Sequence, residues 1–212
     1  MDYLDANLSA EEYNRLFQDV MLTCRQRLIS QGINLSDFDS IENARDIESL
    51  RLALGYEKIN LYGVSYGTLL ALHYMRLYPD SLRSVILDGV VAPQQNTILD
   101  NPQNEDRAFR HFFDSCAADP DCNRSYPDLE TVFYETVEKL EANPSQISLV
   151  DPDDQLSHPA LLDGEGFMGS VFQIFYVSGL IPALPRMIYA ASEGDFTVLS
   201  RILSIFVFDR SM

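Results

Sequence analysis

Positive charge is scarce in this chain of 212 residues. Lysine and arginine number 15 against 32 aspartates and glutamates, and the net charge is −17. A phosphate backbone would be repelled by such a surface, so no nucleic-acid partner is expected. The acidity reads as a solvated exterior. Histidine and cysteine are equally sparse, three of each. None stand at metal-ligand spacing, which argues against a metal site, and no separable cofactor is implied. Asp151, Asp153 and Asp154 form an acidic cluster. It lacks the glycine and terminal glutamate of an EF-hand loop and reads as a solvated turn. No apolar run approaches the length of a membrane span. Met1-Asp2-Tyr3-Leu4-Asp5 has neither the basic nor the apolar region of a signal peptide. A hydrophobic fraction of 46% leaves ample material for a core.

What the chain does have is Gly63-Val64-Ser65-Tyr66-Gly67 in a telling context. Ile59-Asn60-Leu61-Tyr62 before it reads as a short buried strand. Residues 68–78 after it read as a helix, stopped by Pro79. A strand turning sharply into a helix with serine at the apex is a nucleophile elbow. The apex serine takes a strained backbone conformation that lifts its hydroxyl clear of the sheet. Gly63 and Gly67 are expected where a Cβ would collide with the neighbouring strand or helix. The N–H of Tyr66 opens the helix without an intrahelical acceptor, so it can donate to a developing oxyanion.

Ser9-Ala10-Glu11-Glu12 is a capping box and predicts a helix to about residue 30, ended at Gly32. Tyr13, Leu16, Phe17, Val20, Met21, Cys24 and Leu28 recur along it at helical spacing, with Cys24 read as a buried thiol. Ser40 is expected to cap a second helix over residues 41–54, whose face of Ile47, Leu50, Ala53 and Leu54 should pack on a sheet. Residues 82–88 read as the next strand, and strand–helix–strand makes a βαβ unit with parallel strands. From about residue 96 the pattern is mostly helical. Helices are expected near residues 104–118, 129–142, 164–176, 181–191 and 196–206, with one extended piece at 147–150. Phe167, Phe172, Phe175 and Tyr176 read as core. The organisation is therefore an α/β part, residues 1–95, and a helical insertion, residues 96–212. An insertion of this kind serves as a lid over a substrate pocket.

Cys116 and Cys122 sit six residues apart. That spacing leaves a small disulfide and two free thiols equally open.

Several stretches resemble the α/β-hydrolase serine peptidases of the proline-iminopeptidase and tripeptidyl-aminopeptidase type. They are Asn43-Ala44-Arg45-Asp46-Ile47-Glu48-Ser49-Leu50-Arg51, the elbow with Thr68, and Arg83-Ser84-Val85-Ile86-Leu87-Asp88-Gly89. The Cys116–Cys122 segment, with Tyr126-Pro127-Asp128-Leu129 after it, is similar to the start of that family's lid. The resemblance implies a partial α/β-hydrolase fold and an acyl-enzyme on Ser65. It implies release of residues from peptide N-termini, a Cys116–Cys122 disulfide and an extracytoplasmic setting. Members carry a His-Gly-rich oxyanion loop upstream and place the triad acid and histidine after the lid. This chain has no His-Gly or Gly-Gly pair. His73 lies about 12 Å along the helix from Ser65 at the usual helical rise. His111 is expected on a lid helix and His158 in a polar loop, and Asp88, ending a strand, has no histidine to orient and reads as structural. The expectation is an internal fragment, inactive alone and aggregation-prone, whose partners are a peptide or ester substrate and the remainder of the hydrolase domain. An esterase or lipase, or a non-catalytic binding module that kept the elbow, are the alternatives.

Overall fold

Acidic residues opening a helix and a basic residue closing it complement the helix dipole, and α1 (Ala10–Ser30) follows this rule with Glu11, Glu12 and Arg27. The computed structural model describes residues 4–208, so Met1–Tyr3 of the stretch inspected for a targeting signal lie outside it. The described residues form two compact units. Residues 10–100 make one. Residues 4–9 and 101–208 make the other.

In the first unit α1 is followed by α2 (Ser40–Ala53), β1 (Ile59–Val64), α3 (Tyr66–Leu77) and β2 (Leu82–Asp88). Strands β1 and β2 pair in parallel, with Leu61 opposite Val85, Tyr62 opposite Ile86 and Val64 opposite Asp88. Alternation sends successive side chains to opposite faces. Leu61, Val85 and Leu87 are half-buried on the face that α3 packs against. Tyr62 and Ile86, on the other face, keep 65% and 60% of their surface exposed. Among the described residues of this unit the parallel pair is thus covered on one side only, whereas parallel sheets are ordinarily covered on both.

Helix α2 departs from expectation in two ways. Its N-cap is Asp39, not Ser40: the Asp39 carboxylate accepts from the N–H groups of Ile41 and Glu42, each at 2.8 Å. Its packed face is not the predicted apolar row. Leu50, Ala53 and Leu54 are exposed, while Ala44 is fully buried and Ile47 and Glu48 are half-buried. Glu48 binds Arg51 through two bonds, at 2.7 and 2.8 Å, and accepts from the Tyr74 hydroxyl of α3 at 2.6 Å. A polar clamp therefore holds α2 to α3 where apolar periodicity pointed elsewhere. The stripe on α1 is likewise uncovered: Tyr13, Phe17, Val20 and Met21 are exposed and Cys24 is half-buried.

The second unit begins within α4 (Thr97–Ala118) and continues through α5 (Pro120–Ser125), α6 (Leu129–Ala142), β3 (Ser145–Val150), β4 (Ser157–Leu162), α7 (Gly164–Ile174), α8 (Leu184–Ser192) and α9 (Thr197–Phe208). Its core is aromatic. Phe109, Phe113, Phe133 and Phe167 are buried, and Phe172 and Phe175 pack against them. The core reading of the three phenylalanines holds, but Tyr176 is 76% exposed.

Strand β4 and helix α5 were not anticipated. β4 pairs antiparallel with β3, placing His158 on a strand rather than in a loop, its ring 5.1 Å from that of Phe208. The acidic turn joins the two strands. Asp151 is not solvated: it is 2% exposed, and its carboxylate accepts from the N–H of Asp153. The segment around the cysteines is helical, because Pro120 fits the first helical position and Asp119 caps it. Cys116 and Cys122 are joined in a disulfide, with Cα atoms 5.2 Å apart.

Candidate active site

Ser65 stands between β1 and α3 with φ 52° and ψ −120°, a conformation that non-glycine residues rarely adopt. It persists because its backbone is held on both sides. The Ser65 N–H donates to the Asp88 carbonyl of the neighbouring strand at 3.0 Å. Its carbonyl accepts from the Thr68 N–H at 2.9 Å and from the Thr68 hydroxyl at 2.6 Å. Side chains of the elbow are thereby turned outward, and Ser65 is exposed.

Close packing beneath the turn explains one glycine and not the other. A Cβ on Gly63 would lie 2.4 Å from the Gly67 carbonyl oxygen and 2.9 Å from the Thr68 nitrogen. Those are backbone atoms and cannot step aside. A Cβ on Gly67 would meet nothing within 4 Å. The expectation that Gly67 avoids a collision is therefore corrected: the crowding belongs to Gly63, which receives the Gly67 backbone against its bare Cα.

Tyr66 is the first residue of α3, so its N–H has no acceptor within the helix and the dipole adds partial positive charge there. Its hydroxyl is 2.9 Å from the Ser40 Oγ and accepts from the Asn43 amide at 3.4 Å, which ties the ring to α2. The residue proposed as a cap serves instead to orient Tyr66. Asp88 contributes its carbonyl to Ser65, while its carboxylate accepts from the Tyr62 hydroxyl at 2.9 Å. That contact raises the Tyr62 phenol above its ordinary pKa, because ionising it beside a carboxylate is unfavourable.

A cleft of about 290 Å³ opens at Ser65, bordered by Tyr66, Leu69, Val91, Ala92, Pro93 and Gln95. A larger groove of about 590 Å³ lies in the other unit, between β3 and α9. Size does not decide between them: the smaller one holds the strained serine and the free helix N-terminus. No histidine borders the Ser65 cleft among the described residues. His73 sits half-buried further along α3, and His111 and His158 belong to the other unit. Nor, among the described residues, do three or more His, Cys, Asp or Glu side chains gather so as to hold a metal ion. No helix among them is long and apolar enough to cross a membrane.

Two contributors escaped the sequence reading, the Thr68 hydroxyl and the wall formed by residues 91–95. A threonine three residues after the apex was the available signal, since its hydroxyl can reach back to a carbonyl in the preceding turn.

A strand–serine–helix elbow with a helix N-terminus beside it defines an α/β hydrolase. The chain belongs to the alpha/beta hydrolase fold family, whose model matches residues 23–138. Among individual proteins it is similar to the serine protease Hip1 of Mycobacterium tuberculosis, 31% identical over 128 residues, covering 59% of this chain and 24% of that protein. It is also similar to the tripeptidyl aminopeptidase of Streptomyces lividans, 47% identical over 67 residues, 32% of this chain and 12% of that protein. A putative hydrolase of Escherichia coli, YuaR, is 30% identical over 128 residues, 56% of this chain and 26% of that protein. The matches thus span about a quarter of these relatives' length or less.

Proposed function

We propose that this chain carries the nucleophile of a peptidase-type serine hydrolase, and that the full-length protein removes residues from peptide N-termini. The observation that carries the reading is Ser65, exposed at positive φ and fixed by hydrogen bonds at the head of α3. The similarity to proteins named serine protease and tripeptidyl aminopeptidase supports the substrate class.

In this reading Ser65 Oγ attacks the scissile carbonyl carbon. The new C–O bond forms as the carbonyl π pair moves onto oxygen, and the serine proton passes to a general base. Collapse breaks the C–N bond, the amine leaves with that proton, and an acyl-enzyme remains. The Tyr66 N–H steadies the oxyanion, a donor worth about 3 kcal/mol in comparable sites. The general base, its orienting acid and the second oxyanion donor come from polypeptide beyond the residues seen here, the remainder of the hydrolase domain. The uncovered face of Tyr62 and Ile86 supports that partner, because it is where a parallel sheet would receive further cover. The helical unit acts as the lid. The Cys116–Cys122 bond supports an extracytoplasmic setting.

A fluorophosphonate probe applied to the full-length protein tests the nucleophile. Wild type should label and Ser65→Ala should not; equal labelling of both ends the proposal. Hydrolysis of ester substrates without any turnover of N-terminally free peptides would move the protein to the esterases.

A further inference from the structure

Thr68 is fully buried in the first turn of α3, and its hydroxyl is committed twice. It donates to the Ser65 carbonyl at 2.6 Å and accepts from the Val91 N–H at 2.8 Å. Val91 begins the apolar wall of the Ser65 cleft, which continues through Ala92 and Pro93 to Gln95. That wall has a hairpin-like brace of its own: the Gln95 N–H donates to the Ala92 carbonyl at 3.0 Å, and the Gln95 side-chain oxygen accepts from the Ala92 N–H at 3.1 Å. Upstream, the wall leaves β2 at Gly89, which turns at φ 66° beside the Ser65 nitrogen. The two bonds of the hydroxyl are not equivalent. The Ser65 carbonyl has a second donor in the Thr68 N–H, whereas the bond to Thr68 ties Val91 directly to the nucleophile's helix.

We propose that Thr68 is a positioning residue whose hydroxyl locks the 91–95 wall to the backbone of the nucleophile, so that wall and serine meet a substrate in fixed register. The inference rests on Ser65 being the nucleophile. It goes further in assigning the wall to the substrate side chain next to the scissile bond, and in assigning the coupling to one oxygen atom. A small phosphonylating probe needs only Ser65 and its activating groups. A peptide must also fit the wall, and a misplacement of even one ångström costs rate steeply.

The test compares Thr68→Val and Thr68→Ser with wild type in the full-length protein, using fluorophosphonate labelling and peptide turnover. Thr68→Val should lose kcat/KM on a peptide by roughly 10- to 100-fold, a larger factor than any fall in its labelling rate. Thr68→Ser, which restores the oxygen without the methyl, should recover turnover to within about threefold of wild type. Val turnover equal to wild type, or a Ser variant as poor as Val, overturns the proposal. Hydrogen exchange on the wild-type protein covers the case in which Thr68→Val fails to fold. The Val91 amide must exchange far more slowly than that of Gln94, and equal rates also overturn it. Labelling that survives Ser65→Ala would instead strike the nucleophile assignment, a distinct failure.

Discussion

Gly63 and Gly67 look alike in the motif, yet the structure asks different things of them. Gly63→Ala would drive a methyl into the Gly67 and Thr68 backbone, and overpacking of this kind costs about 3 kcal/mol or more. The variant should melt well below wild type and label poorly with a phosphonate. Gly67→Ala adds a methyl to open space within a helix. Its urea-unfolding free energy should stay within about 1 kcal/mol of wild type, with any change toward greater stability. The bend at Ser65 and the helix start at Tyr66 were readable in the sequence because an elbow is a local object, set by five consecutive residues and their flanks. Thr68 was not, because its partner, Val91, lies 23 positions away and becomes visible only once β2 is laid beside β1.

Between elements, the polar clamp of α2 on α3 is the contact that makes a pH prediction. Glu48 sits among the Arg51 guanidinium, the Tyr74 hydroxyl and the Ser81 hydroxyl, and these lower its pKa from 4.5 to about 2. A carboxylate with a depressed pKa stabilises the folded state fully above its unfolded value. That contribution fades as pH falls through the range from about 4.5 to about 2. Glu48→Gln should flatten the dependence of melting temperature on pH across this window, and an unchanged slope would rule the clamp out. The same burial pushes the Tyr74 phenol above its ordinary pKa, since it loses water and faces Glu48. Apolar periodicity missed most of this face because Ile47 and the small Ala44 share it with the charged side chains of Glu48 and Arg51. The disulfide makes a second prediction. It closes a short loop between α4 and α5, for which lost chain entropy is worth roughly 2 kcal/mol. Reduction, or Cys122→Ser, should lower the stability of the helical unit by about that amount in calorimetry. Here spacing alone left the pairing open, and only the helical turn at Pro120 brings the two Cα atoms within reach.

At the scale of the molecule, the fold class was legible because strand, helix and strand follow one another within thirty residues of chain, 59–88. Strand β4 was not, because Ser157-His158-Pro159 carries no apolar alternation and becomes a strand only by pairing with β3. Open apolar surface decides how the 212-residue chain behaves in isolation. A sheet face carrying Tyr62, Val64 and Ile86, and a stripe on α1 carrying Phe17 and Met21, meet solvent. The chain alone should self-associate in light scattering, and the pair Tyr62→Lys with Ile86→Lys should shift it toward monomer. A monodisperse wild-type monomer would contradict this. One connection has a consequence for biosynthesis. The Leu161 N–H donates to the carbonyl of Leu4 at 2.7 Å, and Leu4 packs against the core of the helical unit. During synthesis, the stretch translated just before α1 must therefore idle until β4 has been made, while everything from α1 to β2 is free to form in the interval.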